Sequence, residues 1–251
     1  MVHIDNISLV LVSPLKRAQQ TYEQLRDGGL HNTPAQGNPL SCFAQTQART
    51  TSLLVEWDYG DYEGVTTKEI LKTRPNWSLF GDNAPNGETV EQVAARADAI
   101  IELIHNYQRG QDSQGNITDT LKMPFTELEI KADSPGKVKV PGAMGPDSDN
   151  NNNNNYNNNN SNGSNTLQSD SFNTTVHVPP PGRRDVLVVA HGHFLRVFAA
   201  RWLKMEGLQG KNFVLDTASV SVLGYEHTLE ERAIKVWNQG NHLWKDNTRI
   251  G

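Results

Sequence analysis

The sequence predicts an α/β fold, a mostly parallel sheet flanked by helices, and three observations carry that prediction. Val186 to Ala190 is an unbroken run of β-branched and apolar residues, the composition of a strand covered on both faces. Ile7 to Val12 is a second such run. Each run gives way to a helical pattern at a turn signal, as strand–helix units of parallel sheets do.

The first strand stops at Ser13-Pro14. Serine is a good N-cap and proline suits the first helical position, so a helix is expected to begin there. Leu15, Ala18, Tyr22 and Leu25 fall on one face of it, and Gly28-Gly29 is the stop. Arg17 lies in the first turn, where the helix dipole disfavours a cation. Two readings follow: an anion shares the place with Arg17, or the side chain lies along the surface on its apolar stem.

Leu53 to Gly64 reads LLVEWDYGDYEG and sets Glu56 after an apolar run, bracketed by Val55, Trp57 and Tyr59. A carboxyl partly removed from water suits a general acid, although glutamates in such places also pair with arginines structurally. Asp58, Asp61 and Glu63 read as a solvated acidic loop or caps. Thr66 to Leu71 is a short helical patch ended by Arg74-Pro75, and Trp77 to Phe80 leads into the Gly-, Asn- and Pro-rich loop GDNAPNGET. From Thr89 a long amphipathic helix places Val90, Val93, Ala94, Ala97, Ile100, Ile101 and Ile104 inward.

Gln111 to Pro181 contains few apolar clusters and an asparagine tract interrupted by Tyr156. Such a segment buries too little apolar surface to offset its ordering entropy, so 111–181 is expected to be a disordered insertion. The remaining residues, 1–110 and 182–251, form a single domain.

Past the insertion, the buried run ends in His191, Gly192 and His193, and the period changes. Phe194, Leu195, Val197, Phe198, Ala199, Trp202 and Leu203 form the apolar side of a helix, with Arg196, Arg201 and Lys204 left for polar surroundings. Helix N-termini carry unpaired N–H groups and favour anions, and open α/β sheets bind ligands at such joints. The two imidazoles read as catalytic, as a metal pair, or as satisfied core groups. If the two runs are parallel neighbours, Ser13–Arg17 and His191–His193 lie on one sheet edge and converge on one phosphate. Ser219 to Tyr225 and Ala233 to Trp237 alternate like a pair of strands.

A net charge of −5 gives no reason to expect nucleic acid or an anionic membrane as partner. Cys42 is the only cysteine, which excludes an intrachain disulfide and suits a cytoplasmic protein. No run is long enough to span a bilayer, and MVHIDNISLV lacks a secretory signal.

Five blocks stand in order: SPLKRAQQT (Ser13 to Thr21), VEWDYGDYEG (Val55 to Gly64), NGET (Asn86 to Thr89), VVAHGHFLR (Val188 to Arg196) and FVLDTASVSVLGYEH (Phe213 to His227). Together they resemble the histidine phosphatase superfamily, the phosphoglycerate mutase-like proteins, and within it most closely the fungal sedoheptulose-1,7-bisphosphatase-like branch. The resemblance implies a three-layer sandwich and a phosphohistidine mechanism on a small phosphorylated metabolite, a sugar phosphate, with no metal and no organic cofactor. It implies that Arg17 clamps the phosphate, His191 is the second histidine of the pocket and Glu56 the proton donor. Ser13, Gly192, the backbone N–H of His193 and Arg196 are the further substrate-binding candidates. The family opens with an Arg-His-Gly motif that ends its first strand and carries the nucleophile, and this sequence contains no such triplet. The expectation is therefore a fold lacking its first strand, in a piece of a longer protein or a truncated relative. A non-catalytic phosphate-binding remnant is the alternative function.

Overall fold

The computed structural model describes residues 6–26, 46–111, 114–118, 120–124, 126–127, 173–182, 184–245 and 248–249. In chain order the elements are β1 (Ile7–Val12), α1 (Lys16–Arg26), β2 (Gln47–Thr50), α2 (Thr67–Thr73), α3 (Leu79–Asp82), α4 (Val90–Arg109), β3 (Thr120–Pro124), β4 (Thr126–Glu127), β5 (Asn173–His177), β6 (Asp185–Val189), α5 (Gly192–Trp202), β7 (Val220–Tyr225), β8 (Arg232–Gln239), β9 (Trp244–Lys245) and β10 (Thr248–Arg249). Short 3-10 turns at Ser52–Leu54, Gly60–Tyr62, Gly207–Asn212 and Asn241–Leu243 complete the list.

The main sheet runs β4-β2-β1-β6, with β1 parallel to both β2 and β6 and β4 antiparallel to β2. Val12 stands opposite Thr50 on one side and Val189 on the other, so the three parallel strands end level. The ladder continues one step past them: Ser13 donates its N–H to the Val189 carbonyl at 2.9 Å, and Thr51 donates to Val12 at 3.3 Å. The two strand-to-helix joints therefore share the carboxyl edge of one sheet. β1 is the covered strand, with Leu9 to Val12 at most 1% exposed. In β6 the residues Val186, Leu187 and Val188 are only half-buried, although their apolar run suits a strand covered on both faces. Among the described residues β6 pairs only with β1, and an edge strand leaves part of its surface open.

The core lies between the sheet and two helices, where Val93, Ala97, Ile100, Ile101 and Ile104 of α4 join Phe194, Val197, Phe198 and Trp202 of α5. Both α2 and α4 begin in a capping box: the hydroxyls of Thr66 and Thr89 accept the N–H of Glu69 and Gln92, whose side chains accept in return. Helix α1 starts two residues later than the Ser13-Pro14 signal suggests. The Ser13 hydroxyl accepts the Leu15 N–H at 3.2 Å, so Pro14 and Leu15 form a bend before the first helical turn. Ala18 and Tyr22 are buried as expected, whereas Leu25 is 45% exposed. The expected stop at Gly28-Gly29 lies outside the described residues.

The chain divides into a compact unit of Met1–Leu128 with Phe172–Gly251 and a second unit, Glu129–Ser171, which lies outside the described residues together with its asparagine tract. The expected insertion 111–181 needs correction at both ends. β3 pairs antiparallel with β5, Thr120 opposite His177 and Pro124 opposite Asn173, and β4 extends the main sheet. From Thr175 to Val178 exposure alternates, with Val176 and Val178 0% and 5% exposed and part of the core. A short alternating run is a strand signal that the polar composition around it obscures. β7 and β8 form the expected antiparallel pair. Among the described residues no helix is long and apolar enough to cross a membrane.

Candidate active site

Ser13 is fully buried where β1 ends, and His191, 6% exposed, sits where β6 ends. His191 Nε2 lies 2.7 Å from Ser13 Oγ, and Arg17 on the first turn of α1 donates its Nε–H to His191 Nδ1 at 3.0 Å. A guanidinium can only donate, so Nδ1 is the acceptor and the imidazole proton belongs on Nε2, which donates to the serine oxygen. Burial, and next the Arg17 charge, push the His191 pKa down to about 4, so the ring is neutral near pH 7. Ser13 Oγ accepts from His191 and from the Leu15 N–H, which leaves its own O–H to donate. Arg17 is exposed, and among the described residues its two terminal nitrogens have no partner. A cation, a neutral imidazole and a spare hydroxyl thus meet at one sheet edge.

Glu56 follows the Ser52–Leu54 turn and reaches the start of α5. Its Oε1 accepts the N–H groups of Trp57 and Phe194, both at 2.9 Å, and its Oε2 accepts the His193 N–H at 3.3 Å. His191, the N-cap residue, makes no side-chain capping bond, so Glu56 caps this helix from a distant part of the sequence. The His193 N–H expected to meet a bound anion here meets the protein's own carboxylate. Gly192 is exposed, and a Cβ built on it would touch nothing within 4 Å, so the helix start is open on that side.

On the other flank, Tyr59 Oη lies 2.7 Å from His193 Nδ1. Burial, reinforced by the Glu56 charge, raises the Tyr59 pKa well above the ordinary phenol value. Burial lowers the His193 pKa, against the pull of Glu56. Arg196 donates to the carbonyls of Gly210 at 3.2 Å and Lys211 at 2.9 Å, and its guanidinium stacks over the Phe80 ring at 4.8 Å. It ties α5 to the Gly207–Asn212 turn rather than joining the Arg17–His191 pair, and the negative charge acting on it is that of Glu56.

The structure thus brings Ser13, Arg17 and His191 into one cluster and Glu56 with His193 into an adjoining one. Tyr59 belongs to the second, and sequence reading gave it no role beyond bracketing Glu56. No group of three or more His, Cys, Asp or Glu side chains among the described residues could hold a metal ion. His191 also has no nitrogen to spare for a metal shared with His193, since Arg17 occupies one and Ser13 the other.

The family profile of the histidine phosphatase superfamily (branch 1) matches residues 2–114 and 171–240. The chain belongs to that superfamily. Among its relatives, an acid phosphatase of Mycobacterium tuberculosis is 25% identical over 189 residues, 75% of this chain and 57% of the relative. A sedoheptulose 1,7-bisphosphatase of Saccharomyces cerevisiae is 32% identical over 127 residues, 47% of this chain and 43% of the relative. The chain therefore spans about half the length of these relatives. Its fold matches a mycobacterial glucosyl-3-phosphoglycerate phosphatase solved with VO3, at TM-score 0.52 and 18% identity over 94% of this chain and 78% of that one. The product of a Mycobacterium tuberculosis open reading frame matches at TM-score 0.50 and 23% identity over 92% and 72%. The parallel strands flanked by helices are the phosphoglycerate mutase-like architecture that the resemblance implied.

Proposed function

We propose that this chain carries the phosphate clamp and the proton donor of a phosphatase acting on a small phosphorylated metabolite, a sugar phosphate, through a phosphohistidine intermediate. The observation that carries this reading is the Arg17–His191–Ser13 cluster, a cationic site at the sheet edge of a chain whose net charge is −5. The two terminal nitrogens of Arg17 match a pair of phosphate oxygens in the bidentate manner of guanidinium groups, and the Ser13 O–H adds a neutral donor. The substrate class is argued from the relatives that are a sedoheptulose bisphosphatase and an acid phosphatase.

In the first step a histidine nitrogen attacks phosphorus, the bond to the leaving oxygen breaks, and Glu56 gives that oxygen its proton. In the second step water attacks the phosphorus, the P–N bond breaks to release orthophosphate and free the histidine nitrogen, and the Glu56 carboxylate takes the proton the water loses. Glu56 enters the first step carrying a proton and leaves it as the carboxylate that the N–H groups of Trp57, His193 and Phe194 hold. His191 is not the nucleophile in this scheme, because one ring nitrogen is protonated and the other receives the Arg17 N–H. That role is assigned to the Arg-His-Gly motif, which this sequence does not contain. The second reading is a phosphate-binding protein that does not turn over, which needs only the Arg17–His191–Ser13 cluster.

An assay of the chain against sugar phosphates and an aryl phosphate, with orthophosphate binding measured alongside, tests both. The expected result is saturable phosphate binding that Arg17→Ala abolishes, with negligible hydrolysis. Hydrolysis at ordinary enzyme rates would refute the assignment of the nucleophile, and phosphate binding unchanged in Arg17→Ala would refute the clamp.

A further inference from the structure

Glu56 has no helix or strand of its own to hold it, so something outside its loop fixes the carboxylate. We propose that Arg96, paired with Glu88, is the positioning residue that sets where the Glu56 carboxylate sits; the inference rests on the reading of Glu56 as proton donor.

Arg96 projects from α4 and spends its whole fork. Nε donates to Glu88 Oε1 at 2.7 Å and one terminal nitrogen to Oε2 at 2.6 Å. The other donates to two carbonyls, Leu53 at 2.9 Å and Val55 at 3.0 Å. The Val55 carbonyl belongs to the peptide that joins Glu56 to the chain. The guanidinium also lies 5.1 Å from the ring centre of Phe194, the residue whose N–H donates to Glu56 Oε1. One side chain thus touches both the peptide that carries Glu56 and the residue that anchors it.

Glu88 grips the far side of the same loop. Its Oε2 accepts the Asp58 N–H at 3.1 Å, its carbonyl accepts the Trp57 indole N–H at 2.9 Å, and its N–H donates to the Asp58 carbonyl at 3.0 Å. Residues 53 to 58 are held before and after Glu56 by a single ion pair. The pair is well shielded, with side chains 11% and 21% exposed, so its geometry is kept by charge-assisted, bidentate bonds. Lysine has neither the planar fork nor enough directed donors to reproduce four such bonds. It would keep the positive charge, which matters because the Arg96 charge also reaches His191.

The test uses the chain as it stands and the pH dependence of the Phe194 and Trp57 amide signals in 1H–15N NMR spectra. Because His191 and His193 also titrate beside these amides, the carboxylate's share is the part of the pH-dependent shift that Glu56→Gln removes. Arg96→Lys should lose that share at Phe194 while orthophosphate binding to Arg17 stays within about twofold. Glu88→Gln, which keeps the shape and removes the charge, gives the same result if Arg96→Lys fails to fold. Wild-type amide shifts in both folded variants would overturn the proposal, as would Phe194 and Trp57 shifts that Glu56→Gln leaves wholly unchanged. Failure of the proton-donor reading shows separately, in a protein that also carries the Arg-His-Gly segment, as Glu56→Gln with an undiminished kcat while the amide results stand.

Discussion

At His191 the ring has two nitrogens and two neighbours, and the direction of one bond fixes the other. Arg17 can only donate, so the ring is neutral, and it turns its N–H to Ser13. His105 is a second neutral imidazole, 5% exposed beside Trp202 and Tyr225, with its pKa pushed down to about 4 by burial and then by Arg232. In the unfolded chain both titrate near the ordinary histidine value of about 6.5. As pH falls below that value the unfolded chain takes up protons that the folded chain refuses. Stability is therefore expected to be full above pH 6.5 and to fall down to about pH 4. Urea midpoints measured between pH 7.5 and 4 check this, and a flat profile would contradict the buried neutral state. In the catalytically competent protein, Glu56→Gln is expected to lower kcat by about 10²–10⁴-fold with little change in KM, because a general acid acts as the leaving oxygen gains charge. Arg17→Ala should impair both parameters, since a phosphate clamp acts in the ground and transition states alike. Glu56 and Arg17 stood out in the sequence because their settings are local: a carboxyl after an apolar run, a cation at a helix start. Tyr59 did not, because its partner His193 is 134 residues away and only the fold joins them.

Between elements, the acidic loop and the NGET loop approach backbone to backbone. Gly60 has φ +48°, and a Cβ there would fall 2.2 Å from the Pro85 carbonyl oxygen and 2.3 Å from the Gly87 nitrogen. Gly64 has φ +74° with nothing within 4 Å of its Cβ position. Gly64→Ala is thus expected to cost only the left-handed strain, about 1–2 kcal/mol. Gly60→Ala carries the same strain with a backbone overlap added, and its melting temperature should fall clearly further. Equal melting temperatures would show that the two loops do not touch as described. Deletions separate the insertion from its flanks. Removing 111–181 takes β3, β5 and the buried Val176 and Val178, and should destabilise the fold. Cutting only 129–171 spares them, and loop closure changes by only about 0.6 kcal/mol per doubling of length, so the melting temperature should hold. If the two deletions melt alike, the β3–β5 pair contributes nothing. The helices were readable because their caps and apolar faces are written in consecutive residues. β2, β3, β4 and β5 went unread, being two to five residues long and held by partners distant in sequence.

Across the whole molecule, the level ends of three parallel strands turn two separate motifs into one site. That outcome was conditional in the sequence: the joints converge only if β1 and β6 are parallel neighbours, and no local pattern says which strands pair. The order of five blocks supplied it through resemblance, and the register supplies it directly. The half-buried apolar face of β6 shows where composition misleads, since burial depends on a strand's place in the sheet as much as on its residues. The central claim is that Arg17 and His191 form a phosphate clamp at this shared edge. It is tested most directly by following the His191 ring nitrogens by 1H–15N NMR during orthophosphate titration. The account predicts a neutral ring protonated on Nε2 whose signals move saturably with phosphate and stay still in Arg17→Ala. Ring signals that do not move at saturating phosphate, or that move equally in Arg17→Ala, would contradict it.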